Sequence, residues 1–203
     1  MYKISQYESI KYKDNVEINI EDYANSVKYG TNQDAVIKGR LAKQQGDLDL
    51  YKKIKSASKV VTPTGTYESG QAKTGNNIKL NGLICMDIDT DVTDKERHDI
   101  SNDPYTFIVH DSFGGDGICV FVKVDVSKMN DAYDAISKYY FDEYGIKTDP
   151  SGKNINRLRF LSFDPNIIVN EKSKKFVVKV EKKDVKPLNI DYVFTPSDFD
   201  NIL

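Results

Sequence analysis

The chain has 203 residues, of which 39% are hydrophobic and 30% charged, and its formal net charge is −2. This composition predicts a soluble globular protein with one sizeable domain or two small ones, and it argues against a general nucleic-acid coat protein. No apolar run approaches the roughly 20 residues that span a bilayer, and the first residues lack the apolar stretch of a signal peptide. We therefore expect a cytoplasmic protein with no membrane partner.

The first 80 residues predict short strands, one or two helices and a basic segment. Residues 16–20 alternate like a strand, residues 32–56 have helical apolar spacing with a break near Gly46, and residues 60–67 predict two short extended pieces. Between residues 28 and 80 there are ten basic and four acidic residues. Such a segment is typical of a solvated helix face, and it also suits contacts with a phosphate backbone. The candidates for nucleic-acid contacts are Lys43, Lys52 and Lys53.

An apolar strand over residues 82–89 ends in two carboxylates. Because Asp87 and Asp89 are two residues apart, their side chains project from the same face of a strand. Like charges repel unless a cation lies between them, and hard oxygen ligands suit Mg²⁺ or Mn²⁺. Solvated turns at strand ends show the same spacing, so the pattern alone leaves a purely structural interpretation open.

The remaining elements predict an α+β fold. The order β-α-β-β-α-β over residues 80–181 indicates a mixed or antiparallel sheet with helices on one side. In chain order we predict a capped helix, the two strands of a hairpin, an amphipathic helix and two further strands, at residues 93–102, 105–110, 118–124, 133–144, 155–162 and 175–181. After Lys186 the chain becomes polar and aperiodic, which is typical of a linker or tail.

A glycine-rich loop over residues 112–117 joins the two hairpin strands. Glycines allow a close approach of the backbone, and turned N–H groups can bind an anion. Ser112, Gly114, Gly115 and Gly117 are therefore candidates for contacts with phosphate, with Lys123 adding a charge. A plain hairpin turn has the same composition, so that alternative stays open.

A third acid and two arginines follow the second helix. Asp149 would complete a set of three carboxylates, and Arg157 and Arg159 are fork-shaped donors that suit phosphate. Three carboxylates, an anion-binding loop and two arginines fit nucleotidyl transfer, in which two metal ions bring a 3′-hydroxyl to an α-phosphate.

These segments, in this order, resemble the archaeo-eukaryotic primase superfamily, the primase-polymerases, and most closely the VirE-like amino-terminal domain family. The resemblance covers roughly residues 30–170. It rests on residues 51–52, 61–67, 82–89, 112–118, 120–123, 144–146, 149, 151–153 and 156–165.

The resemblance implies an RNA-recognition-like sheet joined to an N-terminal α/β unit. Residues 1–186 would form a primase-polymerase-like domain, with the N-terminal subunit at 30–79 and the metal-site module at 80–181. Residues 187–203 would be a tail or linker. It also implies that Asp87, Asp89 and Asp149 are the catalytic metal ligands. Members commonly carry a histidine after the glycine loop that contacts the incoming nucleotide, and Cys119 stands at that position here.

The expected function is that of a DNA primase or primer-extending polymerase of a bacterium, phage or plasmid. It would use Mg²⁺ or Mn²⁺, a single-stranded DNA template and NTPs or dNTPs, with a helicase-type ATPase as an expected partner. One alternative, favoured by Cys119, is a catalytically degenerate module that binds single-stranded DNA or a nucleotide. Another is metal-dependent phosphodiester hydrolysis, for which the sequence offers no clear group to activate water. In the polymerase interpretation, Asp87→Ala abolishes turnover and leaves folding largely intact, because it relieves repulsion between carboxylates.

Overall fold

The computed structural model describes residues 1–68, 72, 78–89 and 92–178. Within them the chain forms five helices, which are α1 (Ile20–Tyr29), α2 (Gln33–Gln44), α3 (Leu48–Ala57), α4 (Asp94–Asn102) and α5 (Met129–Tyr144). The strands are β1 (Lys3–Tyr7), β2 (Asn15–Asn19), β3 (Val60–Thr62), β4 (Gly65–Tyr67), β5 (Ile78–Leu80), β6 (Leu83–Ile88), β7 (Thr106–Asp111), β8 (Ile118–Lys123), β9 (Arg159–Phe160) and β10 (Ile168–Val169).

The strands form three sheets. The first has the order β2-β1-β3-β9, the second has the order β10-β7-β8-β6, and β4 pairs with β5. All pairings between these strands are antiparallel. The mixed α+β class expected from the sequence is confirmed.

The last strands lie elsewhere than expected. The sequence grouped residues 155–162 with the module that carries Asp87, but β9 pairs with β3 in the first sheet, where Val61 lies opposite Arg159. The outer position beside β7 is taken by β10, with Ile168 opposite Val109. Spacing within a segment shows that it is extended, but it does not show which partner strand it joins.

The strand expected over residues 175–181 is seen only in part. Phe176 forms an isolated parallel bridge with Val124. Residues 179–181, and the tail expected over 187–203, lie outside the described residues.

The second sheet is buried on both faces. On one face Ile84, Met86 and Ile88 of β6 pack with residues of α4 and α5, including Ile100 and Ile136. On the other face Leu83 and Cys85 pack, together with Phe121, against Tyr23 of α1 and Leu161, which follows β9. Because side chains alternate along a strand, Asp87 shares the face of Leu83 and Cys85. It therefore projects between the second sheet and the N-terminal elements.

Local signals explain most of the helix boundaries. The Asp47 side chain accepts a hydrogen bond from the Leu50 amide and begins α3, which confirms the expected break between two helices. Thr93 and Glu96 form the predicted capping box of α4. Gly145, with a left-handed φ of 70°, ends α5 as expected.

Helix α1 lies in a region for which the sequence predicted only a strand, over residues 16–20. Its apolar positions, Tyr23, Ala24 and Val27, follow the helical period and are buried. Among the described residues, none of the helices combines the length and the apolar character that a membrane span requires.

Candidate metal centre

Three carboxylates from two separate segments meet at the end of β6. Asp87 is in the strand, Asp89 follows it directly, and Asp149 comes from the segment after α5. Each offers one oxygen atom, and these three atoms lie within 4.8 Å of one another. The structure thus brings together the three acids that the sequence singled out.

Main-chain contacts fix Asp149 beside the strand. Its amide donates a hydrogen bond of 2.8 Å to the Asp87 carbonyl oxygen. The Tyr133 hydroxyl of α5 donates to the Asp149 carbonyl oxygen. The Asp149 side chain accepts from the amide of Ser151 at 2.9 Å and also from its hydroxyl, and it caps a 3₁₀ turn over Pro150–Lys153. These protein contacts therefore position the third carboxylate beside the other two.

The electrostatics of the three acids differ. Burial, followed by the neighbouring carboxylates of Asp87 and Asp149, raises the pKa of Asp89 above its ordinary value. The hydrogen bonds from Ser151 lower the pKa of Asp149. Crowding of like charges around Asp89 is the condition that a bound cation would relieve.

The donor set fits a divalent cation. All three groups are hard oxygen ligands, which suit Mg²⁺ or Mn²⁺. Oxygen atoms bound to one octahedral ion at about 2.1 Å lie up to about 4.2 Å apart. The observed grouping is close to that span, so Asp87, Asp89 and Asp149 are the residues that would hold the metal.

Arg159 reaches the metal centre from the other sheet. Its Nη1 donates to Asp87 Oδ2 at 2.8 Å, and its Nη2 lies 3.4 Å from the Cys85 carbonyl oxygen. The arginine side chain is only 6% exposed and that of Asp87 13%. Arg159 Nε is buried and has no hydrogen-bond partner among the described residues. The sequence predicted a contact with phosphate, and the structure shows an ion pair with a candidate metal ligand.

Two buried thiols, those of Cys85 and Cys119, lie close to Asp87. Cys119 lies directly opposite Asp87 across β6 and β8, with its Sγ 3.6 Å from Asp87 Oδ1. Its hydrogen bond with Cys85, then burial and the nearby Asp87, raise the pKa of Cys119 well above its ordinary value. Cys119 is therefore a neutral neighbour of the site, and it supplies no cation to a nucleotide.

His110 is the next residue in this line across the sheet, after Asp87 and Cys119. It lies opposite Cys119 on β7 and is fully buried. Its Nδ1 lies 2.8 Å from the Asp111 carbonyl oxygen, so Nδ1 carries the proton and Nε2 accepts from the Tyr23 hydroxyl at 2.8 Å. Burial lowers the pKa of His110, which keeps the ring neutral. The structure thus makes His110 a core residue.

The glycine-rich loop packs tightly against its neighbours. A Cβ atom at Gly117 would collide with the carbonyl oxygen of Ile88, so glycine is required for the loop to approach β6. Gly114 lies against Lys43 and the Tyr51 hydroxyl, and Gly115 against Arg40. These contacts account for the loop's glycines by packing, and their role in phosphate binding stays a prediction.

Arg40 of α2 holds this loop in place, and sequence reasoning did not single it out. Its guanidinium donates to the carbonyl oxygens of Ser112 at 2.9 Å, Phe113 at 3.2 Å and Phe163 at 3.1 Å. Phe113 is buried, with its ring 6.0 Å from that of Phe160. The carbonyl oxygen of Ser112 therefore already accepts a hydrogen bond within the protein. Arg40 stood in a basic segment, and nothing in the local pattern separated it from solvated lysines.

Lys123 is not brought to the carboxylates. The sequence placed it near bound phosphate, but it lies opposite Leu83, four residues before Asp87, or about 13 Å along the strand. Its Nζ donates to the Glu171 carbonyl oxygen at 2.8 Å and lies 4.3 Å from the centre of the Phe107 ring. Lys123 therefore stabilises the opposite end of the sheet.

The lysines of the basic segment have different surroundings. Lys43 forms an ion pair with Asp116 of the hairpin loop. Lys52 and Lys53 are exposed on α3. Lys55, which was not among the candidates, lies with its Nζ 5.1 Å from the centre of the Phe160 ring and 5.5 Å from that of Tyr51.

A cleft of about 530 Å³ is lined in part by Lys55, Arg157, Arg159 and Phe160. Arg159 connects it to the three carboxylates through its ion pair with Asp87. Arg157 is exposed and lies near enough to Asp149 to help lower the pKa of that carboxyl. The cleft thus places positive charge next to the three carboxylates.

The family model for the BT4734-like, N-terminal domain matches residues 53–168. Because this range is more than half of the chain, the chain belongs to that family. It includes all three carboxylates and both Arg157 and Arg159. No curated protein and no solved structure matches the chain.

The family expected from the sequence is therefore wrong. The BT4734-like domain is a family distinct from the primase superfamily, to which the order of segments had pointed. The segments behind that resemblance are short, and acid pairs, glycine turns and arginines recur wherever metals and phosphates are bound. Segments of these types, even in this order, do not identify one family.

Proposed function

We propose that this protein is a divalent-metal-dependent nucleotidyltransferase that adds nucleotides on a single-stranded DNA template. It would act as a primase or as a primer-extending polymerase and use NTPs or dNTPs. The observation that carries this proposal is the convergence of the Asp87, Asp89 and Asp149 oxygen atoms within 4.8 Å. Acid clusters of this kind are typical of metal-assisted displacement at phosphorus.

The chain's own residues would hold and orient the reactants. Asp87, Asp89 and Asp149 would be the ligands of Mg²⁺ or Mn²⁺. When bound, the ions supply Lewis-acid activation of a 3′-hydroxyl and stabilise the charge of the leaving pyrophosphate. Arg159 fixes the rotamer of Asp87 through its 2.8 Å hydrogen bond to Oδ2, which leaves Oδ1 directed away from that contact.

The second sheet supports an RNA-recognition-like interpretation. Strands β6, β7 and β8 lie in the order β7-β8-β6, and helices α4 and α5 share the core on one face. In this proposal the opposite face, which carries Asp87, is the catalytic face. The N-terminal elements and β9 complete the site by contributing Lys55 and Arg159.

The template would run along α3. Lys52 and Lys53 are exposed there, and exposed lysines suit contacts with a phosphate backbone. Lys43 is engaged with Asp116, so its contribution would require that ion pair to open. A helicase-type ATPase stays a predicted partner.

Incorporation of a labelled nucleotide on single-stranded DNA tests this function. The reaction contains Mg²⁺ or Mn²⁺, with and without a primer, and the control is Asp89→Ala. Incorporation that requires a primer makes the protein a polymerase, and product without a primer makes it a primase. Incorporation that persists in Asp89→Ala would show that the activity does not arise at this site.

A second candidate is a module that binds single-stranded DNA or a nucleotide without turnover. The ion pair between Arg159 and Asp87 favours it, because a guanidinium already neutralises one of the three acids. The neutral Cys119 beside Asp87 favours it too. In that case binding of DNA or nucleotide is retained and incorporation is absent from the wild-type protein with either metal.

A further inference from the structure

We propose that the cleft beside the metal centre binds the triphosphate tail of the nucleotide, held by Lys55 and Arg157 with Arg159 at its inner end. The identity of this ligand rests on the proposed function. Arg157 and Arg159 were already expected to contact phosphate, together with the glycine-rich loop. Lys55 was not among the expected residues, and the loop does not line this cleft.

Among the described residues, Lys55 and Arg157 form no ion pair. Within the described part of the chain, neither lies within ion-pair distance of a carboxylate. Lys55 packs over the rings of Tyr51 and Phe160, so its ammonium group is held in position by contacts that do not neutralise it. Lys43, on the neighbouring helix, is by contrast paired with Asp116.

Arg159 gives the cleft an unsatisfied donor. Its side chain is more than nine-tenths buried, it lines the cleft, and its Nε has no partner among the described residues. Buried polar groups are nearly always hydrogen-bonded, so the unpaired Nε leaves this lining residue short of one acceptor. Arg159 also holds Asp87, which links the cleft directly to the metal centre.

The cleft suits a compact polyanion. Its volume of about 530 Å³ lies within the roughly 300–1,000 Å³ of small-molecule sites. Asn154 and Asn156 add amide groups to its lining. A triphosphate concentrates several negative charges in one place, whereas a DNA strand spreads single charges along its length. Three cations converging on one cleft therefore match the triphosphate better.

Calorimetric titration with inorganic triphosphate in the presence of EDTA tests the inference. The full chain is compared with Lys55→Gln and Arg157→Gln, and with Lys172→Gln, which makes the same charge change at an exposed position outside the cleft. We expect each cleft variant to lose about tenfold in affinity, as is typical of a charge-assisted contact. Lys172→Gln should bind like the wild type.

Two results would overturn the proposal. One is unchanged triphosphate binding in both cleft variants, and the other is an equal loss in Lys172→Gln, which would reveal general charge attraction only. Arg157 is exposed, so its variant remains informative even if Lys55→Gln destabilises the fold.

An oligothymidylate without terminal phosphate serves as the second ligand. If the cleft variants lose affinity for this strand and keep their affinity for triphosphate, the cleft holds template and the proposal is wrong. Binding of triphosphate that depends on Lys55, in a protein that incorporates no nucleotide, would support the cleft and defeat the proposed function. Nucleotide incorporation that does not change in Lys55→Gln and Arg157→Gln would support the proposed function and contradict the triphosphate site in the cleft.

Discussion

Two arginine–carboxylate clusters border the hairpin loop, and they differ in how completely their charges are satisfied. At one, Arg97 of α4 pairs through Nη1 with Asp111 and through Nη2 with Asp164 at 2.8 Å. Asp164 is 2% exposed and also accepts from the amides of Asp111 and Asn166. At the other, Arg159 pairs with Asp87 alone and leaves Nε without a partner among the described residues.

The difference separates a structural cluster from a candidate functional one. At the Arg97 cluster one cation bridges two acids, and main-chain donors satisfy the buried carboxylate. At the three carboxylates Arg159 forms an ion pair with Asp87, and neither Asp89 nor Asp149 is in an ion pair within the described residues. Unpaired charges and orphan donors cost stability, and a bound ligand of the kind proposed above would offset that cost.

The largest expected effect is on activity at the metal centre. Asp89→Ala should reduce nucleotide incorporation about a thousandfold, the upper range for loss of one electrostatic contact in a catalytic site. Its melting temperature should be unchanged or higher, because the pKa of Asp89 is raised by burial and by like charges that the substitution removes. Steady-state incorporation and thermal melting in EDTA measure both. A large fall in melting temperature would make Asp89 structural.

The structure changes the expected effect of Asp87→Ala on folding. The sequence suggested that Asp87→Ala would leave folding largely intact, but Asp87 is the carboxylate partner of the buried Arg159. Its removal would leave the buried guanidinium without a carboxylate partner, so the free energy of unfolding should fall. Asp89→Ala is therefore the better-matched test of catalysis.

The next effect is on stability at the Arg97 cluster. Asp164→Ala should lower the free energy of unfolding by about 3 kcal/mol, because it leaves Arg97 short of a partner and two main-chain amides unsatisfied. Urea unfolding measures the loss. Mn²⁺ binding by the folded fraction should not change. If Mn²⁺ binding fell, the two clusters would not be independent.

A smaller effect concerns the competition between Arg159 and a metal. Arg159→Met removes the positive charge 2.8 Å from Asp87 Oδ2. We expect the affinity for Mn²⁺ to rise about tenfold, which corresponds to about 1.4 kcal/mol. Calorimetry gives the affinity directly, with Lys172→Gln as the charge control. A weaker affinity would instead mean that Arg159 positions Asp87 for the ion.

The smallest effect is in the pH dependence of stability. Burial opposes ionisation of Asp164, but hydrogen bonds from the Asp111 amide and Arg97 lower its pKa below the ordinary value. A lowered folded-state pKa stabilises the protein above the ordinary carboxyl pKa, and this stabilisation is lost as the pH falls through the folded-state value. Asp164→Asn should therefore flatten the acid limb of the stability profile. Identical acid limbs would contradict the assignment.

The sequence predicted well whatever depends on local spacing. The carboxylate pair at the end of β6, the capping box at Thr93 and the end of α5 at Gly145 follow from residues close together in the chain. The grouping of Asp149 with Asp87 and Asp89 was also expected, although it depends on a long-range contact. The three local signals involve the same neighbours in every fold that contains the element, whereas the contact with Asp149 does not.

The sequence failed where the partner strand or helix decides the outcome. Lys123 and Arg159 are both basic residues in strands, yet one lies at the far end of the sheet and the other at the metal centre. Arg40 and Lys55 were indistinguishable from surface lysines until the packing of α2 and α3 against the hairpin and β9 was known. Alternation gives the face of a strand, but only its register and sheet give its neighbours.

The hydrogen bond from the Asp149 amide to the Asp87 carbonyl oxygen has a practical consequence. It joins the two segments that carry the three acids, so exchange of this amide proton with deuterium should report on the opening of that contact. A single resonance in a nitrogen-15 spectrum would then report how often the three acids come apart, and how far a bound ion suppresses that opening, without any turnover being observed.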